Sequence, residues 1–170
     1  MRNFSLIIYC LLLVSCTTQE TFDKEQQVDQ IVAVVKNMNN ALVDQKTDQI
    51  LACYADEMDW ENSFGWTIKD KNTLSKYFKD WLFVKYPGSN SQYPDFQCRV
   101  ELLREDLAWV EVMQGVYATD SDSIVRSFRQ THLVLQQDEK WLIKKTRMWA
   151  PNKSNNPPVD YITSDTYFGG

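Results

Sequence analysis

The sequence predicts an α+β fold in which N-terminal helices pack on the concave side of a strongly curved antiparallel sheet, giving a cone. Three observations carry this expectation. Apolar residues first recur at three and four positions, in Val28 to Leu42 and again in Leu74 to Leu82, and from Phe96 onward alternate every second position. The alternating stretches are joined by short polar turns, which makes consecutive strands antiparallel neighbours. Both helical stretches carry a single apolar stripe, and the sheet is the surface that can cover it.

The elements follow in order. Val28, Ile31, Val35, Met38 and Leu42 form the buried stripe of a helix expected over 24–45, with Gln, Asp, Lys and Asn on its other face. Thr47 is placed to cap a short second helix whose Ile50, Leu51 and Tyr54 share a side. A strand is expected through Met58 to Asn62, with Asp56 and Glu57 in the turn before it. Asp70 is a suitable N-cap for a third helix with Leu74, Tyr77, Phe78, Trp81 and Leu82 along one stripe. Pro87 and Gly88 end that section. Phe96, Cys98, Val100 and Leu102 then alternate with Gln97, Arg99 and Glu101 as a half-buried strand does, and strands over 107–118, 124–135 and 141–149 complete the meander.

The two ends of the chain are of a different kind. Arg2 supplies a positive start and Phe4 to Leu13 is nearly all apolar, too short to span a bilayer but suited to an export signal. Leu13-Val14-Ser15-Cys16 resembles the bacterial lipobox, which implies cleavage before Cys16, acylation of its thiol and a lipid anchor. The expected organisation is a signal peptide over 1–15, a tether over 16–25, one domain over 26–150 and a tail over 151–170. Thr17 in place of an aspartate after the anchor cysteine makes the outer membrane the expected address.

Composition narrows the chemistry. A formal net charge of -5 without a concentrated basic face argues against nucleic acid as a partner. One histidine and no CxxC or HExxH spacing leave no expected metal site, and no cofactor is expected. Cys53 and Cys98 both fall in apolar patterns, which favours two buried thiols over a disulfide.

Two segments carry a resemblance. YADEMDWENSFG at 54–65 and DEKWLIKKTRMW at 138–149, set in this order of elements, resemble the nuclear transport factor 2-like superfamily, in the style of its SnoaL-like and ketosteroid-isomerase-like domains. The resemblance spans about 26–150 and implies a cone-shaped cavity. It also implies that Asn62 stands where ketosteroid isomerases carry their catalytic aspartate, that their helix tyrosine falls near Asn39, and that their protonated aspartate falls at or beside His132. An amide cannot take up the proton a carboxylate takes, so steroid-type isomerisation is in doubt at its central residue.

The family match turns Asn62 toward the cavity and sends Asp59 and Glu61 outward, so the acidic cluster reads mostly as a solvated edge. Trp60, Tyr77, Tyr117 and Trp149 are the expected flat walls, with Asn62, Arg129, His132 and Arg147 as polar contacts for a small hydrophobic or anionic ligand. Trp141, Ile143, Lys145, Arg147 and Trp149 share a face of the last strand, and the resemblance implies that the Arg147 region lines the cavity; pairing of Arg147 with Glu111 or Asp59 is the competing expectation. Three functions follow. The first is a membrane-anchored module that binds a small molecule without transforming it. The second is an isomerase, dehydratase or cyclase using His132 or Asp59 as acid or base; the third is a homodimeric interaction module.

Overall fold

The computed structural model describes residues 23–85, 96–117 and 124–149. The signal segment, the Cys16 anchor, the tether before residue 23, the 118–123 connection and the tail from residue 150 lie outside these. Within them, five helical segments precede or interrupt a single six-stranded sheet.

Helix α1 (Lys24–Val43) starts at Asp23, whose carboxylate accepts from the amides of Glu25 (3.0 Å) and Gln26 (3.1 Å) and so satisfies two orphan donors of the first turn. Its buried face is Ile31, Val35, Met38, Asn39 and Ala41. It ends where Gln45 takes a left-handed φ of 58°, and Lys46 returns its amide to the carbonyl of Ala41 at 2.8 Å. The short helix α2 (Thr47–Ala52) follows at once. Its N-cap is Lys46, without a side-chain cap bond, so Thr47 does not act as the cap: it is the first helical residue and is buried.

Strand β1 (Tyr54–Glu61) begins four residues earlier than the Met58 start expected, and so takes in Asp56 and Glu57. Both are exposed at an irregularity between Tyr54 and Asp59, where they reach Lys71 and Lys144. Strand β2 (Thr67–Asp70) folds back on β1. Asp70 then caps helix α3 (Lys71–Lys76), accepting from the Thr73 amide at 2.8 Å. The helix continues as a π-helical segment (Tyr77–Leu82) and closes with one α-turn, α4 (Phe83–Lys85). The expected stripe is α-helical throughout; the wider π turns instead align positions five apart, and Phe78 stacks on Phe83 at 5.6 Å between centroids.

Strands β3 (Gln97–Arg104), β4 (Leu107–Tyr117), β5 (Ile124–Gln137) and β6 (Lys140–Trp149) form the antiparallel meander. The sheet order is β2-β1-β6-β5-β4-β3. β1 lies parallel to β6, so the sheet is mixed rather than wholly antiparallel. The reason is topological: the chain crosses from β1 over the helices and through β3, β4 and β5 before β6 arrives beside it.

α1 contacts both β6 and β3, and so lies across the inner face of the sheet. There Ile31, Val35 and Met38 meet Cys98, Ala108, Val110, Val112, Val134, Trp141 and Ile143. Each Val, Ile or Met among them contributes about 1.5–3 kcal/mol when fully withdrawn from water. Cys53 and Cys98 are both free thiols, Cys98 buried and Cys53 half-buried.

One hairpin positions the site. Asp138 and Glu139 both adopt left-handed φ, 49° and 62°, the conformation a two-residue turn between twisted strands requires. This pairs Gln137 with Lys140 and, counting inward, Val134 with Ile143. The register then shifts by one residue, Leu133 pairing with Lys145 and His132 with Thr146. Lys144 is the extra residue of this bulge. The bulge reverses the alternation of β6: Trp141 and Ile143 point inward before it, Thr146 points inward after it, and Lys145 and Arg147 turn to the outer face.

Candidate functional site

On the inner face, three polar side chains from three strands form a chain in an otherwise apolar interior. The Tyr54 hydroxyl of β1 lies 3.0 Å from the Thr146 hydroxyl of β6, and that hydroxyl lies 2.9 Å from Nδ1 of His132 on β5. His132 and Thr146 have 0% of their surface exposed and Tyr54 1%. Burial pushes the imidazole of His132 down to about 3 from its ordinary 6.5, so it is neutral, and the same cause raises the Tyr54 phenol. His132 Nε2 is buried without a hydrogen-bond partner among the described residues. Two residues along β5, Gln130 donates to Asn39 of α1 at 3.4 Å, and Asn39 donates to the carbonyl of Val35.

Trp60, on the same strand as Tyr54, belongs to an aromatic group. Its ring lies 5.0 Å from Tyr77 and 5.9 Å from Phe78, and Tyr77 stacks on Trp81 at 5.3 Å. Asn62 closes this end. Its Oδ1 accepts from the amides of Phe64 (2.9 Å) and Trp66 (3.0 Å), and its Nδ2 donates to the Tyr77 hydroxyl at 3.3 Å. Gly65 supplies the φ of +82° that this turn needs, with open space where a Cβ would sit. The turn exposes Phe64 and Trp66 and packs Trp66 against Trp81.

The outer face of the same strands is ionic. Arg147 donates through Nη2 to Asp59 at 2.7 Å and through Nη1 at 3.1 Å, and its Nε lies 3.1 Å from Glu61; Lys145 also reaches Asp59 at 3.3 Å. The hydrogen bonds from Arg147 hold the Asp59 carboxyl below its usual range.

These features sit on a framework with known counterparts. No family model matches the chain. No curated protein matches it in sequence either. Among solved structures, it is similar to a protein of unknown function with a cystatin-like fold from Nostoc punctiforme, with 14% identity over 77% of this chain and 95% of that one and a TM-score of 0.65. It is also similar to an NTF-2 like protein of unknown function from Shewanella oneidensis (17% identity, 72% and 98% covered, TM-score 0.57). A third is a ketosteroid isomerase-like protein from Erwinia carotovora atroseptica (10% identity, 75% and 98% covered, TM-score 0.57). The fold is NTF2-like.

Within this NTF2-like fold, several expected site residues come together and others do not. Trp60, Asn62 and Tyr77 converge at the inner end of β1, while His132 belongs to the chain with Thr146 and Tyr54. Asn62 is buried, with 4% exposed, but its side chain is committed to the turn and to Tyr77. Arg147 and Trp149 are not walls of the interior: the bulge at Lys144 places them on the outer face, and Arg129 pairs with Trp149 there. The same geometry removes Asp59 as an interior base, because it faces outward into the ion pairs. Tyr117 ends β4, and its side chain lies outside the described residues.

Sequence reasoning missed Tyr54 and Thr146. Tyr54, expected on the apolar side of the second helix, is the first residue of β1, and the signal for it is a hydroxyl in a buried position, which requires a partner. Thr146 was hidden by the bulge, since an unbroken alternation counts it as outward.

Proposed function

We propose that this NTF2-like domain is a binding module that holds a small, neutral, largely apolar molecule against the inner face of its sheet, on an exported chain anchored to a membrane through acylated Cys16. The observation that carries the reading is His132 Nε2, a fully buried polar atom on a strand position paired with Val110 and without a hydrogen-bond partner among the described residues. Such an atom costs about 1–3 kcal/mol unless something else bonds it, and a ligand that does so recovers that cost. Apolar walls supply affinity and one polar contact supplies orientation, the usual division of labour in small-molecule sites.

Neutrality of the ligand follows from the charges. The guanidinium expected to receive an anion is engaged by Asp59 and Glu61 on the other face, and His132 is itself uncharged. Binding without proton transfer is supported by the same groups. An imidazole held near 3 is a weak base at neutral pH, and Asn62 exchanges no proton. The hydrogen-bond partners of both residues among the described ones are hydroxyls and backbone amides rather than carboxylates.

Native mass spectrometry of the full-length protein released from membranes tests the binding. A reproducible added mass in the wild type, lost in His132→Leu, is expected; identical spectra from both would end this reading. Labelling with radioactive palmitate tests the anchor, with signal in the wild type and none in Cys16→Ser.

A further inference from the structure

We infer that His132 is a fixed hydrogen-bond donor, with its proton on Nε2, and that the molecule it receives presents an acceptor oxygen of the carbonyl type. This rests on the binding reading above and names the class of its ligand.

Each of the two hydroxyls has one proton to place, and two hydrogen bonds join Tyr54, Thr146 and His132. The Tyr54 phenol has the Thr146 hydroxyl 3.0 Å away and donates to it. Thr146 accepts that bond, and its own proton goes to His132 Nδ1 at 2.9 Å. A nitrogen that accepts carries no proton, so in the neutral imidazole the proton sits on Nε2.

The opposite tautomer fares worse on the same count. If Nδ1–H donated to Thr146, the two hydroxyls would have a single hydrogen bond left between them, so one of their protons would have no partner among the described residues, and Nε2 would still be buried unbonded. That arrangement strands two buried polar groups where the first strands one, and each costs about 1–3 kcal/mol. The chain Tyr54→Thr146→His132 therefore runs in one direction and ends in a buried N–H. Its complement is a lone pair. A ketone, ester or amide oxygen on an apolar frame supplies one; an ammonium or a lone N–H does not.

The chain has a single histidine, so selective ¹⁵N-histidine labelling of the untagged full-length protein reads this site alone. Long-range ¹H–¹⁵N NMR at neutral pH is expected to give a protonated-type shift at Nε2 and an unprotonated-type shift at Nδ1. Thr146→Ser keeps that pattern and Thr146→Val loses the preference. A protonated Nδ1 in the wild type, or an unchanged preference in Thr146→Val, overturns the directed chain.

The ligand class is tested separately with three five-membered rings of nearly equal size: cyclopentanone, which only accepts, pyrrole, which only donates, and cyclopentane, which does neither. Cyclopentanone alone is expected to shift the Nε2–H resonance. A shift with pyrrole instead, or equal shifts with all three, overturns the acceptor assignment. No shift with any of them, in a protein whose Nε2 is protonated as expected, removes the binding reading itself and leaves a donor facing internal water.

Discussion

Strands β1 and β6 carry two polar clusters back to back, and the two differ in kind. Outside, Asp59, Glu61, Lys145 and Arg147 carry full charges with about a third of each of the Asp59 and Arg147 side chains in solvent. Inside, Tyr54, Thr146 and His132 are neutral, wholly buried and connected by single hydrogen bonds. The distances are comparable, but the consequences of losing a partner are not. Water replaces a lost ion pair on the outer face, whereas nothing in the protein replaces a lost hydroxyl on the inner one. Ion pairs are the more conspicuous polar feature, and the neutral chain is the one on which stability depends more.

The sharpest way to break the comparison is Thr146→Val, which keeps the shape of the side chain and deprives both Tyr54 and His132 of a partner. A loss of about 3 kcal/mol in urea unfolding is expected, from two buried groups at about 1–3 each. A loss below about 1 kcal/mol would place the two faces on an equal footing.

Acid distinguishes the faces next. The folded state holds His132 near 3, while the unfolded chain titrates at the ordinary 6.5. Between those values the unfolded state binds the additional proton, so this contribution is complete above about pH 6.5 and declines as pH falls toward 3. From pH 7 to pH 5 the decline is about 2 kcal/mol. The measurement is urea unfolding at both pH values, with His132→Leu expected to lack this part of the slope.

Asn62→Ala is expected to cost about 1–2 kcal/mol, because the amides of Phe64 and Trp66 lose their acceptor. Faster hydrogen exchange at those two amides, with little change at β5, is the accompanying sign. Arg147→Ala is the smallest effect, under about 1 kcal/mol and weaker still in high salt. Asp59 is depressed in the folded state, so the contribution of this pair is present above the ordinary carboxylate range and disappears as pH falls through the depressed value. A variant that lost more stability than Asn62→Ala would reverse the ranking of the two faces.

Periodicity made most of the fold legible. The stripe of α1, the Asp70 cap and the meander from Gln97 to Trp149 all follow from spacing and turn chemistry that neighbouring residues determine. Parallel pairing of β1 with β6 was not legible, since nothing local to residues 54–61 specifies a partner some ninety positions away. The site was half legible for one reason: Trp60, Asn62 and Tyr77 lie where unbroken patterns place them, whereas every residue of β6 after Lys144 changes sides. A bulge costs the sequence no distinctive residue type, and Lys144 looks like any other outward lysine. Its effect is visible only once the pairing on both sides of it is known.

The Asp138–Glu139 turn also has a consequence in time. His132 and Thr146 are fourteen residues apart and belong to one hairpin, of a kind that closes in about 1–10 μs, while Tyr54 and Thr146 are ninety-two apart and meet only when the chain ends of the domain converge. We expect the first contact to form early and the second to be the closing step, so that Val134→Ala slows refolding whereas Tyr54→Phe mainly hastens unfolding in stopped-flow traces. Were both to act on the same rate, assembly would not follow the nearness of residues along the chain.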